Sequence, residues 1–157
     1  TPYRNEVAEW LKNNTTFEVI PYEVKIKAGG HIIADKDYGD VDVMAIDHSH
    51  KIIYSLECKN IVGARNIHEM KVELDLYLGR EGKKEKAKII KHVNRDIFLK
   101  AHPKLLHAFL KFNEDYEIKS IILASEEMPL AYLAKEILPL PVFSFSQFKD
   151  KVKNNQL

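Results

Sequence analysis

The segment from residue 39 to residue 60, GDVDVMAIDHSHKIIYSLECKN, places charged residues inside two runs that are otherwise largely apolar. Asp42 interrupts the first run, and Glu57 and Lys59 stand near the end of the second. Burying a charged side chain is costly unless the charge is paired or bound to a metal. The segment therefore indicates either a metal site or a buried ion pair.

The two runs are predicted to be neighbouring antiparallel strands joined by the four-residue loop His48–Lys51. With Asp47 opposite Ile52, alternation along both strands places Asp42 directly opposite Glu57 on the same face. Opposed Cβ atoms lie about 5 Å apart, and two carboxylates there repel each other unless a cation lies between them. The spacing therefore favours a cation between Asp42 and Glu57.

Carboxylates and a backbone carbonyl are hard oxygen ligands, which favour Mg²⁺ or Mn²⁺ over zinc. Lys59 shares the face of Glu57, where it could orient or deprotonate a water or stabilise negative charge on a phosphorane-like transition state. Metal, water and lysine together are what in-line hydrolysis of a phosphodiester requires. An equally open interpretation is an ion pair between Asp42 and Lys59, with Glu57 at a strand end.

Asp42 in one strand, followed fifteen residues later by Glu57-Cys58-Lys59 at the end of the next, resembles the PD-(D/E)xK nuclease superfamily. The N-terminal helix, the helix after Lys59 and the later strand, helix and strand extend the resemblance over most of the chain. It implies a restriction-endonuclease-like core, dependence on a divalent metal and cleavage of DNA phosphodiesters. The chain has Val41 where the name-giving pattern has proline, which leaves Asp40 as a second candidate for the ligand role.

Position by position, the resemblance implies that Asp42, Glu57 and the carbonyl of Cys58 are metal ligands and that Lys59 is the catalytic lysine. The superfamily's first-helix glutamate falls on Glu6, which flanks the apolar stripe of the first helix. The expected cofactor is Mg²⁺ or Mn²⁺.

The elements that position these residues follow from the spacing of apolar residues and from Gly and Pro breakers. The predicted helices are 4–14, 65–78, 84–101, 105–112 and 130–138, with a last one capped by Ser146. The predicted strands are 17–27, 41–47, 52–59, 118–124 and 142–145. This order describes one α/β domain over residues 1–157, with a mixed sheet flanked by helices.

Residues 80–111 contain ten Lys or Arg against three Asp or Glu, in a chain whose formal net charge is +1. Such a stretch can be a solvated helix, but beside a nuclease-like site it suits a surface that follows a DNA backbone. The candidate phosphate-binding residues are Arg65, Lys83, Lys84, Lys88, Lys91 and Arg95. A salt bridge at a helix start explains Arg65 equally well.

A length of 157 residues with 45% hydrophobic and 30% charged residues suits one globular domain. No apolar run approaches the roughly 20 residues of a membrane helix, and the single Cys58 leaves no intramolecular disulfide. Without a signal-like start, we expect a cytoplasmic, intracellular protein. The opening Thr1-Pro2 lacks an initiator methionine, which suits a domain cut from a longer protein.

The sequence thus predicts a divalent-metal-dependent DNA endonuclease domain. The expected partners are DNA, a second copy of the chain for cutting both strands, and an additional specificity domain or subunit. Two alternatives remain open: a catalytically silent nuclease-like module that binds nucleic acid or protein, and a nuclease that acts on RNA or single strands.

Overall fold

The computed structural model of the chain describes residues 2–60, 83–126 and 140–157. Within them the helices are α1 (Pro2–Asn14), α2 (Lys83–Ala101), α3 (Pro103–Leu110) and α4 (Phe145–Lys153). The strands are β1 (Glu18–Val19), β2 (Val24–Lys27), β3 (Ile32–Ile33), β4 (Asp40–Val41), β5 (Val43–Asp47), β6 (Ile52–Lys59), β7 (Glu117–Ala124) and β8 (Val142–Ser144). The predicted helices 65–78 and 130–138 lie outside the described residues.

The main sheet has five strands in the order β1-β5-β6-β7-β8. β1, β5 and β6 pair antiparallel, whereas β6, β7 and β8 pair parallel, so the sheet is mixed as the sequence predicted. A three-stranded sheet, β3-β2-β4, lies beside it. The α/β class with a mixed sheet flanked by helices is therefore confirmed.

Each face of the main sheet is covered by its own apolar core. On one face, α1 and α4 contribute residues such as Val7, Leu11 and Phe148. On the other face, α2 and α3 and the small sheet pack together around Met44 and Leu99. In the parts of the chain that the structure describes, no helix is long and apolar enough to cross a membrane.

The hairpin between β5 and β6 has the predicted register, from Asp47 opposite Ile52 to Val43 opposite Leu56. The ladder stops there, however, and Asp42 with Glu57 is not a further pair of it. The predicted strand 41–47 is broken at Asp42, because Val41 leaves the main sheet to pair with Val24 of β2. The break frees the backbone at Asp42 from the ladder, so its side chain can reach β6.

Two other boundaries differ from the prediction. The predicted strand 17–27 is two short strands in different sheets, separated around Pro21, which has no N–H to donate to a ladder. The last helix is capped by Ser144 rather than Ser146: the Ser144 side chain accepts from the Gln147 N–H, and the Gln147 side chain accepts from the Ser144 N–H. This reciprocal pair is a capping box.

Candidate metal and phosphodiester site

The site lies where β6 ends beside its parallel neighbour β7. Glu57 pairs with Ile122 and Lys59 with Ala124 in the ladder, and the Lys59 carbonyl accepts from the Ser125 N–H at 2.9 Å. Ligand sites in open α/β sheets occur at the carboxyl ends of parallel strands. The structure therefore places Glu57 and Lys59 at such an end, both half-buried.

Asp42 reaches this end of β6 through its side chain. Its Oδ2 accepts from the Cys58 N–H at 2.8 Å, so the carboxylate is fixed against the residue between Glu57 and Lys59. Burial raises the pKa of Asp42 above its usual value, although the bond from Cys58 opposes the shift. Burial is therefore the largest influence on the pKa of this carboxylate, and the positive charge of Arg95 opposes it.

Glu57 has a buried positive partner that the sequence assigned to another role. Arg95 of α2 donates from Nη2 to Glu57 Oε2 at 2.8 Å, and its Nη1 donates to the carbonyl of Tyr38 at 3.0 Å. Arg95 is only 3% exposed, so it is not part of a solvent-facing DNA surface, and that prediction is wrong. Burial lowers the pKa of the guanidinium, and Glu57 and Asp42 oppose the shift.

Arg95 is buried because it lies on the side of α2 that faces the sheet. Its buried face carries His92, then the adjacent Arg95 and Asp96, then Leu99, so each step is about one helical turn, whereas Ile97 is 59% exposed. Ser120 Oγ of β7 donates to Asp96 Oδ1 at 2.7 Å, which satisfies that buried carboxylate. A polar layer therefore separates α2 from the sheet beside Glu57.

His92 belongs to this layer, which excludes it from a DNA-facing surface as well. Its Nδ1 lies 3.2 Å from Arg95 Nη2. Burial, together with the charge of Arg95, lowers the pKa of His92 to about 3. The ring is therefore neutral near pH 7 and adds no second positive charge beside Arg95.

A second arginine holds the backbone of Asp42. Arg4 of α1 is buried, and its Nε donates to the Asp42 carbonyl at 2.7 Å. Arg4 continues the buried stripe of Val7, Ala8 and Leu11 one turn toward the helix start. That spacing is visible in the sequence, but the resemblance to the nuclease superfamily pointed to Glu6 instead.

The other predicted site residues are placed less centrally. Glu6 is exposed on α1, and the described contacts do not join it to Asp42 or Glu57. Lys91 is exposed on α2. Lys83, Lys84 and Lys88 lie in α2, but their side chains, like Arg65 as a whole, fall outside the description.

Cys58 offers its backbone rather than its thiol to the site. The side chain packs against the core beneath α1 and α4, on the sheet face opposite to Glu57. Burial raises the pKa of the thiol, with Asp42 and Glu57 adding to the shift, so the neutral form predominates. A nucleophilic role for this cysteine is disfavoured.

The donor chemistry of the site fits a hard divalent cation. In the described parts of the chain, no group of three or more His, Cys, Asp or Glu side chains is arranged to hold a metal. Mg²⁺ does not need such a group, because it commonly binds one or two carboxylates and keeps several waters. The carboxylates of Asp42 and Glu57 and the carbonyl of Cys58 are the oxygens that this site can supply.

Sequence reasoning also missed a third acid near the site. Glu23, which immediately precedes β2, lies close enough to raise the pKa of Asp42 by charge repulsion. Its approach depends on the small sheet, in which Val24 pairs with Val41 next to Asp42. Nothing in the local sequence around Glu23 indicated that pairing.

Comparison with known proteins identifies a family. The family model described as "Upx-like: Anti-phage protein Upx-like" matches residues 21–141, which include every residue of the site except those of α1. No curated protein and no solved structure matches the chain.

Proposed function

The chain belongs to the Upx-like family of anti-phage proteins, and from that premise we propose that it is a divalent-metal-dependent nuclease domain that cuts phage DNA. The observation that carries the proposal is the Asp42 carboxylate, held by the Cys58 N–H between Glu57 and Lys59. Two acids and a lysine at one strand end are the groups that the resemblance to PD-(D/E)xK nucleases requires. The order of elements, from α1 through the β5–β6 hairpin to β7 and β8, supports a restriction-endonuclease-like core.

In this proposal each residue has a distinct role. Asp42, Glu57 and the Cys58 carbonyl hold Mg²⁺ or Mn²⁺, which supplies Lewis-acid stabilisation of the phosphate and a more acidic water when bound. Lys59 orients the attacking water and offsets charge that develops on the phosphate. Arg4 fixes the main chain at Asp42, so the carboxylate keeps its position when the substrate arrives.

Exposed lysines of α2, represented by Lys91, are proposed to contact the DNA backbone. Such contacts give affinity that weakens with salt and carry no sequence information. Cutting both strands of a duplex requires two sites, so a second copy of the chain or a further subunit is part of the proposal.

A catalytically silent nucleic-acid-binding module is the second candidate, and one observation favours it. Arg95 pairs with Glu57 at 2.8 Å, as in a purely structural ion pair. In that case the exposed lysines of α2, represented by Lys91, would bind nucleic acid and the domain would not cut it.

Incubation of the purified protein with supercoiled plasmid, single-stranded DNA or RNA, in Mg²⁺ or in EDTA, separates these candidates. We expect nicked or linear plasmid in Mg²⁺ only, and none with Asp42→Asn or Lys59→Met. Plasmid binding without cleavage in either condition would favour the silent module. Cleavage confined to RNA or single strands would keep the chemistry and change the substrate.

A further inference from the structure

Arg95 makes one connection more than an ion pair with Glu57 needs. One guanidinium nitrogen bonds Glu57 of β6, and another bonds the carbonyl of Tyr38, four residues before Asp42. The side chain therefore ties the strand that carries Glu57 to the loop that delivers Asp42. Because Arg95 is 3% exposed and its guanidinium is planar, packing fixes the directions of these two hydrogen bonds.

The loop is shaped around this side chain. Gly39 has φ +81°, and a Cβ added there would lie 2.6 Å from Arg95 Nη1. Glycine is thus required twice, for its backbone conformation and for the close approach of the guanidinium. The Gly39 N–H is in turn bonded to Asp37 Oδ1 at 2.8 Å, which holds the turn in place.

The charges around Arg95 are mostly acidic. Glu57, Asp42, Asp40 and Asp37 all stabilise its positive form, in that order of strength. On its own helix it faces the neutral His92. One buried positive charge therefore serves both carboxylates that are proposed to hold the metal.

We propose that Arg95 is a positioning residue that acts as the built-in counter-charge of Asp42 and Glu57 and competes with the divalent cation for them. It holds Glu57 and the Tyr38–Gly39 turn in place before the metal binds. Its positive charge also lowers the affinity of the two carboxylates for the metal. The inference rests on the proposed function, because it concerns the same carboxylates.

The competition has a signature that a purely structural role lacks. Arg95→Gln removes the positive charge, so Mn²⁺ binding should tighten by on the order of tenfold, while the rate of plasmid cleavage falls because Glu57 is no longer held. Arg95→Lys keeps the charge but cannot bridge Glu57 and the Tyr38 carbonyl. We expect its Mn²⁺ affinity to stay within about threefold of wild type and its cleavage rate to fall.

Isothermal calorimetry with Mn²⁺ measures the affinity on the full chain, with circular dichroism to confirm folding. Lys12→Gln is the charge-matched control, because Lys12 lies two turns, or about 12 Å, along α1 from Arg4 and is exposed. We expect its Mn²⁺ affinity to equal that of wild type. Should Arg95→Gln not fold, the Arg95 Nε–Hε resonance of the wild-type protein should shift on addition of Mg²⁺.

The outcomes separate the two proposals. If wild type binds Mn²⁺ and Asp42→Asn does not, while folded Arg95→Gln binds no tighter than wild type, the role of Arg95 is wrong and the metal site stands. An Arg95 resonance that stays unmoved as Mg²⁺ binds would also overturn it. If wild type binds no Mn²⁺, both the proposed function and this inference fall.

Discussion

Replacing Glu57 by glutamine removes the charge that compensates Arg95 and leaves the side chains nearly the same size. The pair is largely withdrawn from water, with 4% of the Arg95 side chain and 22% of the Glu57 side chain exposed. Deleting one partner of a fully buried pair costs roughly 3–5 kcal/mol, because the other charge stays buried without compensation. Glu57 is partly solvated, glutamine keeps an acceptor, and Asp42 lies near, so we expect about 2 kcal/mol.

Equilibrium urea denaturation in EDTA measures this cost without a contribution from metal binding. For a chain of this size, about 2 kcal/mol corresponds to a fall in Tm of roughly 4–8 °C. Glu114→Gln is the matched control, because Glu114 pairs with Lys51 at 3.0 Å with both side chains about 60% exposed. An exposed pair contributes under about 1 kcal/mol, so this variant should be close to wild type.

The double variant Glu57→Gln/Arg95→Gln tests the pairing itself. If the two side chains stabilise the fold through each other, the double variant should lose less free energy of unfolding than the sum of the single variants, by about 1 kcal/mol or more. Equal costs for Glu57→Gln and Glu114→Gln, with additive behaviour of the double variant, would refute the reasoning about buried charge.

Three further expectations concern the same layer and its surface. Gly39→Ala should cost more stability than Gly29→Ala in urea denaturation: both glycines have positive φ, but only Gly39 meets Arg95, whereas a Cβ at Gly29 meets nothing within 4 Å. Equal costs would contradict the close packing of Arg95. The folded-state pKa of His92, about 3, lies below its unfolded value of about 6.5, so its contribution to stability is present above pH 6.5 and lost as the pH falls. We expect a loss of about 2 kcal/mol between pH 7 and pH 5 from this group, measured as the difference in pH dependence between wild type and His92→Asn; identical profiles would show that His92 titrates normally. Lys91→Gln should reduce the salt dependence of plasmid binding by about one unit of logarithmic slope without moving Tm, and an unchanged slope in a binding titration would remove Lys91 from the DNA surface.

The hairpin and its charged end could be predicted because alternation leaves few choices. With the four residues His48–Lys51 as the loop, Asp47 lies opposite Ile52, and a register shifted by one residue would mix the apolar faces of the two strands. Once the position of β6 is predicted, Glu57 and Lys59 must lie at the carboxyl end of that strand. The side chain of Cys58 could be assigned to the opposite face by the same rule, and it packs there.

The partners of the carboxylates could not be predicted, because they depend on tertiary packing. α2 contains isoleucines that favour one buried face, yet the helix buries His92, Arg95 and Asp96 and exposes Ile97. The part of the sheet that faces α2 includes the polar side chains of Ser120 and Glu57, which makes burial of the polar side of the helix favourable. The spacing of apolar residues in α2 alone does not indicate this orientation. The break of the strand at Asp42 likewise depends on β2, which the sequence placed in a longer strand through Pro21.

The central claim is that Asp42 and Glu57 hold a divalent cation at which phosphodiesters are cut. Anomalous scattering from crystals of the wild-type protein grown with Mn²⁺ tests it most directly, with Asp42→Asn crystals as the control. We expect one anomalous peak within coordination distance of Asp42, Glu57 and the Cys58 carbonyl, and none in Asp42→Asn. A map with no peak there, and with Arg95 still bonded to Glu57 at saturating Mn²⁺, would contradict the claim.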